Sequence, residues 1–360
     1  MDAATLIPTP DQIPVGWGWF QVLLTLTFYL HVLAMDTMLG LVIIAFIHHF
    51  SSENKSLPVT REISKKLPYA IALAVNLGIA PLLFVQVLYG HFIYVSSVLM
   101  GVFWLSIVLL LIVAYYSAYI YSYRYQSMRA GRMVTSGITM FSLLSIAFFL
   151  SNNMTLMLHP ESWVRYFEHS DGFLLNLGDP TIIPRYLHFV TSAVAVGGLG
   201  ISLFYTYRSS RGHEGCTRWI RYGCNWFAGA TIVNFALGFW FLGALPEGLI
   251  KPVTLVGGLF SLFLIMALIT AILAVIAAMR YRPLPAAGLL LATLFFMVLV
   301  REFLRVSYLK PWFSPVELTV QPGGWSPFLL FLLSFIAGLI LIGWMLKTTL
   351  AAAHKKEARS

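Results

Sequence analysis

Lysine and arginine fall almost entirely on every second connection of this chain. Apolar runs near 19–47, 67–88, 93–120, 133–158, 184–206, 219–244, 252–279, 284–306 and 326–348 alternate with short loops. Loops 48–66, 121–132, 207–218 and 280–283 carry 4, 3, 3 and 2 Lys/Arg, and the stretch from Lys347 onward carries 4. The opposite set holds only Arg165, Arg185, Lys251 and Lys310. This imbalance is the positive-inside pattern. It predicts one all-α integral membrane domain over residues 1–360, with nine crossings, the N-terminus outside and the C-terminus in the cytoplasm. Each run exceeds the roughly 20 residues a helix needs to cross about 30 Å of hydrocarbon.

The composition agrees: 59% of residues are hydrophobic and 10% charged. The net charge of +9 therefore reads as cytoplasmic loops facing anionic headgroups, not as a nucleic-acid surface. Asp2 and Asp11, with no Lys or Arg in the first 17 residues, argue against a cleavable signal peptide. The expected location is a bacterial inner membrane. Cys216 and Cys224 lie where disulfides are rare, and no Cys-x-x-Cys-His offers covalent haem attachment. Trp163, Tyr166 and Phe167, with Trp17, Trp19, Trp240, Trp312 and Trp325, are expected in an outer aromatic belt. The tyrosines from Tyr115 to Tyr125 are expected to anchor the inner boundary. No internal repeat stands out.

Ionisable groups inside spans are costly and usually functional. Asp36 and Glu302 are the acids placed well inside; Arg301 and Arg305 are their basic counterparts. His31 falls in span 1 and His188 near the outer start of span 5, while His91, His159 and His169 fall at outer helix ends or loops. A buried imidazole is either a structural hydrogen-bonder or an axial ligand whose second nitrogen is oriented by an acceptor. Small residues after His188 (Ser192, Ala195, Gly198) allow close approach of a flat macrocycle or of another helix. Asp36 reads either as a proton relay or as a neutral acid bonded to Asn76 or Gln86 on span 2. Arg301 and Arg305 share a face and suit carboxylates such as haem propionates, or else reach toward headgroups.

The segment Leu24–Leu41, with His31 and Gly40 nine residues apart, resembles the first helix of subunit I of bd-type quinol oxidases. Arg185-Tyr-Leu-His188-Phe-Val-Thr-Ser-Ala-Val resembles that family's fifth-helix segment, and Asn152-Asn153 with His159-Pro160 resembles an Asn-rich stretch in it. The resemblance implies a bd-oxidase-like bundle, haem b on His31 and His188, quinol as substrate and further subunits as partners. The chain departs from the family pattern in several places. The connection between spans 6 and 7, long in the family, is only about Leu245 to Lys251. Met266, the available partner for His188, lies ~21 Å along from Pro252, while His188 is only about 6 Å in from Pro184. Glu302 is the nearest counterpart of a ligating glutamate. Leu309-Lys310-Pro311-Trp312 is a reduced form of a family motif, and Gln86 is the polar remnant where the family has acids.

These losses point away from oxygen reduction. The resulting expectation is a bd-like haem b subunit that passes electrons from quinol to a periplasmic partner such as a c-type cytochrome. The alternatives are a quinol oxidase with a second membrane subunit, a haem-less anchor, and a transporter; the last is disfavoured by the absence of repeat halves.

Overall fold

The computed structural model describes residues 3–49, 57–168 and 170–357; His169 lies outside them. Among the described residues there are nine helices long and apolar enough to span a bilayer. They are α1 (Trp17–His49), α2 (Leu57–Leu99), α3 (Gly101–Tyr123), α4 (Arg129–Leu158), α5 (Ile182–Ser210), α6 (Cys216–Gly243), α7 (Leu255–Met279), α8 (Pro283–Leu309) and α9 (Trp325–Glu357). This is a multi-pass membrane protein. Helices are the natural solution because each satisfies its own backbone where no water can. Short 3-10 turns at Pro160–Phe167 and Pro315–Glu317 close two of the connections. An isolated parallel bridge joins Ile13 to Val320, so the N-terminal segment packs over the end of the bundle where α1 begins, here called the N-terminal side.

One boundary differs from the sequence reading. The second helix does not stop near residue 88 but continues to Leu99, with a non-helical break at Tyr89 (φ −134°, ψ 30°). The chain turns at Met100, so 93–99 belong to α2 and not to the third crossing. His91 is therefore a buried residue past the kink, packed against Phe92 and Phe313 with ring centres 4.4 Å away in each case. Two aromatic assignments also change. Trp163 is 1% exposed and donates its indole N–H to Leu156 O at 2.9 Å, so it is core and not belt. Tyr121 and Tyr125 are likewise buried, while Tyr115, Tyr119 and Tyr123 stack along the surface of α3.

The packing falls into two halves. In α1–α4 the first helix packs on the second and fourth, and the third on the second and fourth; α5–α8 repeat the same scheme. The halves meet along α1 and α5, two of the most buried helices. At their crossing Gly40 faces Gly197: a Cβ on Gly197 would lie 2.6 Å from the Gly40 carbonyl carbon, and one on Gly40 would overlap the Ala193 carbonyl. Only residues without a Cβ let the two backbones approach so closely.

Reciprocal contacts across this crossing reveal a repeat. Tyr29 on α1 donates to Leu291 O on α8 at 3.1 Å and meets Phe295 edge-on at 5.8 Å. Tyr186 on α5 donates to Leu144 O on α4 at 3.0 Å and meets Phe148 edge-on at 5.3 Å. The two tyrosines open the same tripeptide, Tyr29-Leu30-His31 and Tyr186-Leu187-His188, each followed by glycine nine residues after the histidine. The expectation of no internal repeat is therefore corrected: the two halves share this spacing and make matching contacts on either side of the Gly40–Gly197 crossing.

Candidate functional site

The repeat places two imidazoles in equivalent seats. His31 Nδ1 lies 3.0 Å from Ala74 O on α2, and its ring rests on Gly78, where a Cβ would come within 2.8 Å of Cε1. His188 rests in the same way on Gly238 of α6, where a Cβ would lie 3.2 Å from Cε1 and 3.4 Å from Nδ1. Its Nδ1 faces the Asn234 backbone, without a hydrogen bond of standard geometry. In both seats the facing backbone residue precedes the glycine by four, one helical turn. A carbonyl acceptor at Nδ1 fixes the proton there and leaves the Nε2 lone pair available to a metal. This fits the ligand reading of His31; His188 shares the seat without the hydrogen bond that would set its tautomer.

A charged cluster occupies α8 and its neighbours. Glu302 accepts from Arg301 Nη1 at 3.0 Å, from Arg305 Nη1 at 2.8 Å and from Gln21 Nε2 of α1 at 3.0 Å. Arg301 lies over the Phe28 ring, 4.0 Å from its centre, and reaches Met154 Sδ at 3.8 Å. Arg305 is 4% exposed, and its Nη2 has no hydrogen-bond partner. Arg185 of α5, placed three residues before His188, donates to Thr155 Oγ1 at 3.2 Å. Two guanidiniums thus share one carboxylate, so this group keeps a net positive charge and a free donor at Arg305 Nη2. That is the arrangement an anionic group requires in a medium with little water.

Removing the carboxylate should be costly. Glu302→Gln strands two largely buried guanidiniums, a change that typically costs about 3–5 kcal/mol. The melting temperature of the purified protein should fall, and Arg305→Met in the same chain should recover part of the loss. A Glu302→Gln protein with unchanged melting would show that the cluster is solvated.

Other expected site residues do not join this group. Asp36 is fully buried, and its partner is Ser192 Oγ on α5 at 3.1 Å. Asn76 and Gln86 are exposed on α2, so neither bonds Asp36, and Gln86 stands apart from both acids. Met266 is 37% exposed on α7, which packs on α6 and α8, whereas α5 packs mainly on α1 and α6. It is therefore not brought to His188. Asn152 and Asn153 tie loops and helices: Asn152 accepts from the Asn176 backbone at 3.0 Å, and Asn153 pairs with Ser96 and Ser97.

Beyond the helix ends on the N-terminal side, His159 sits between two carboxylates. Its Nδ1 is 2.7 Å from Glu161 Oε1 and its Nε2 3.0 Å from Asp179 Oδ2. The second contact is a charge contact whose alignment falls short of a hydrogen bond. Burial alone would lower the imidazole pKa; the contacts with Asp179 and Glu161 outweigh it and raise it to about 9. The same contacts hold Asp179 and Glu161 below the usual carboxylate range, against the effect of their own burial.

The linkage sign follows from these directions. The imidazolium's contribution is complete below its ordinary pKa and is lost as pH rises through about 9. The carboxylates' contributions are lost only as pH falls through their depressed values. Tryptic cleavage at the exposed Arg165 should therefore be slow at neutral pH and accelerate above pH ~9. A rate that stays flat between pH 7 and 10, relative to an unfolded substrate, would contradict this assignment.

No family model and no curated relative matches the sequence. A solved structure does. A chain of the bd oxidase from Geobacillus thermodenitrificans superposes with a TM-score of 0.67, over 92% of this chain and 97% of that one, at 11% identity. The fold is that of a bd oxidase chain. The expected bd-like bundle is thus present, and its divergence in sequence is deep. What the bd fold supplies here is the scaffold of two helical halves; the imidazole seats and the arginine cluster are read from this chain's own residues. The sequence reading overlooked Gln21, Arg185, Gly78 and Gly238. For the paired seats a signal was present, namely the duplicated Tyr-Leu-His with glycine nine residues on.

Proposed function

We propose that this chain is a bd-like haem b subunit of a bacterial respiratory complex, oriented with its N-terminus outside. In this reading it carries electrons from membrane quinol to a periplasmic partner such as a c-type cytochrome. The observation that carries the reading is the duplicated seat, in which each histidine turns Nδ1 toward a backbone carbonyl and keeps Nε2 free. His31 and His188 would each hold one haem b, and Arg301, Arg305 and Arg185 would neutralise propionates. Bound haem supplies one-electron redox chemistry. The residues supply the rest: Ala74 orients His31, Gly78 and Gly238 give the rings room, and Glu302 holds the guanidiniums in place. Asp36, at the crossing of α1 and α5, is the candidate proton carrier.

Oxygen reduction is the weaker reading. Both oxygens of Glu302 are engaged by Gln21, Arg301 and Arg305, so the residue offers iron no free ligand. The test is a reduced-minus-oxidised spectrum and haem quantification on protein purified from native membranes. The expected result is close to two b-type haems per chain with no oxygen consumption on quinol addition. A chain without bound haem would refute the proposal and leave the anchor reading; quinol-dependent oxygen uptake would favour an oxidase.

A further inference from the structure

Between the α4–α5 connection and the α6–α7 turn lies a cavity of about 290 Å³, lined by His159, Ser162, Arg165, Asn176, Asp179, Ala244 and others. Two polar groups in its wall are buried without a matching partner. Asn176 is 4% exposed, yet its amide Nδ2 has no hydrogen-bond partner. The Asp179 side chain is 5% exposed. Its Oδ1 accepts from the backbone N–H and the hydroxyl of Thr181, both at 2.7 Å. Its Oδ2 lacks an aligned donor and meets His159 by charge alone. A buried donor or acceptor left unsatisfied costs about 1–3 kcal/mol. One ligand that accepts from Asn176 and donates to Asp179 would recover both.

Charge narrows the ligand. His159, cationic at neutral pH, lies between Glu161 and Asp179. Arg165 is exposed in the same lining and makes no ion pair among the described residues. Two cations thus balance two carboxylates. A simple anion would serve Asn176 and Arg165 and leave Asp179 Oδ2 unmet; a simple cation would do the reverse. A dipolar group serves both: its negative end suits the Arg165 guanidinium and the Asn176 amide, and its positive end suits Asp179. That positive end must carry N–H donors, because Oδ2 lacks a hydrogen bond and not only a charge. A primary ammonium offers three; a quaternary one offers none.

Position points to lipid. Trp240, 52% exposed, stands one helical turn before Ala244, at the level where indoles mark the bilayer boundary. Leu177 and Ile183, 58% and 44% exposed, are near neighbours of the lining residues Gly178 and Thr181 and offer acyl chains an apolar surface. We propose that this cavity holds the headgroup of a phospholipid bearing a primary amine, of the phosphatidylethanolamine class. Its ammonium donates to Asp179 Oδ2, and its phosphate accepts from Asn176 Nδ2 and Arg165. The site is independent of the haem reading, and a lipid held there bridges the α4–α5 connection and the α6–α7 turn.

The test uses the full-length protein as purified, depleted of lipid in detergent, and native mass spectrometry with dioleoyl lipids that differ only in headgroup. Phosphatidylethanolamine should bind at one saturable site and raise the melting temperature. Phosphatidylcholine, which differs by three N-methyl groups, and phosphatidylglycerol should each bind about tenfold more weakly, equivalent to ~1.4 kcal/mol. Asn176→Leu and Arg165→Gln should each lower the phosphatidylethanolamine affinity by a similar factor. Ala244→Trp fills the cavity without touching the His159 ion pairs, so the test stays decisive if a polar variant folds poorly. Equal affinity for all three lipids overturns the headgroup assignment, and tighter binding of phosphatidylglycerol makes the cavity an anion site and overturns it too. Selective binding that survives Ala244→Trp places the lipid elsewhere. Free phosphoethanolamine should compete only in large excess; displacement at equal concentration would make the ligand a soluble aminophosphate and overturn the lipid assignment.

Discussion

His31→Ala and His188→Ala should each remove about half of the b-type absorbance, and the double variant should remove all of it. The two seats are equivalent: each ring lies on its own glycine and faces its own backbone residue, Ala74 or Asn234. Truncation removes the proposed ligand and leaves a void on Gly78 or Gly238, so folding of each variant is checked by size-exclusion chromatography before its spectrum is read. Gly78→Val and Gly238→Val are the finer probes. They keep the imidazole but fill the space where its ring rests, 2.8 Å and 3.2 Å from Cε1 at the first added carbon. They should shift the spectrum and redox midpoint of one component each and leave the other unaltered. If both histidine variants retain the full spectrum, the ligand assignment fails, whatever haem the chain carries. If neither variant binds any haem, the seats are coupled and not independent.

Gly40→Leu or Gly197→Leu should prevent assembly altogether. A first side-chain carbon at Gly40 overlaps the Ala193 carbonyl, and one at Gly197 falls 2.6–2.8 Å from backbone atoms of Gly40 and Leu41. Backbone cannot rotate aside as a flexible side chain can, so the helices must separate. Separation would expose Asp36, whose Ser192 bond crosses the same interface, and would break the Tyr29 and Tyr186 bonds on either side. Overpacking a core ordinarily costs about 1–3 kcal/mol; with these losses added, the sum approaches a typical total stability of ~5–15 kcal/mol. Membrane-inserted but aggregated protein on size-exclusion chromatography is the expected outcome. A monodisperse Gly197→Leu protein with both spectral components would mean that α1 and α5 do not cross this tightly.

Much of this architecture is readable from residue order because lipid imposes a simple rule. Every crossing needs a long apolar helix, so the runs around 133–158, 184–206 and 284–306 could be placed closely. The turn between the second and third helices could not. Residues 92–120 hold no charged residue and only four serines, and Gly90 looks like a break, whereas the chain kinks at Tyr89 and turns eleven residues later, at Met100. Periodicity does not register a turn that lies in apolar sequence. The histidines and the α8 cluster were visible as costly residues in spans. Their partners were not: Ala74 and Asn234 act through backbone atoms, and Gln21 reaches Glu302 across 281 positions. Met266 and Gln86 came from the family pattern, and both side chains are exposed on their helices.

Four crossings are an even number. A duplicated unit of that size re-enters the bilayer from the side where its first copy began, so its copies lie parallel and not inverted as in many transporters. Both imidazoles therefore sit at one level, each nine residues, or ~13.5 Å, from the shared glycine contact. In the proposed function, charge passing from one seat to the other would travel along the plane of the bilayer. It does almost no work against the transmembrane voltage, which would otherwise exact about 2.3 kcal/mol per charge for each 100 mV crossed.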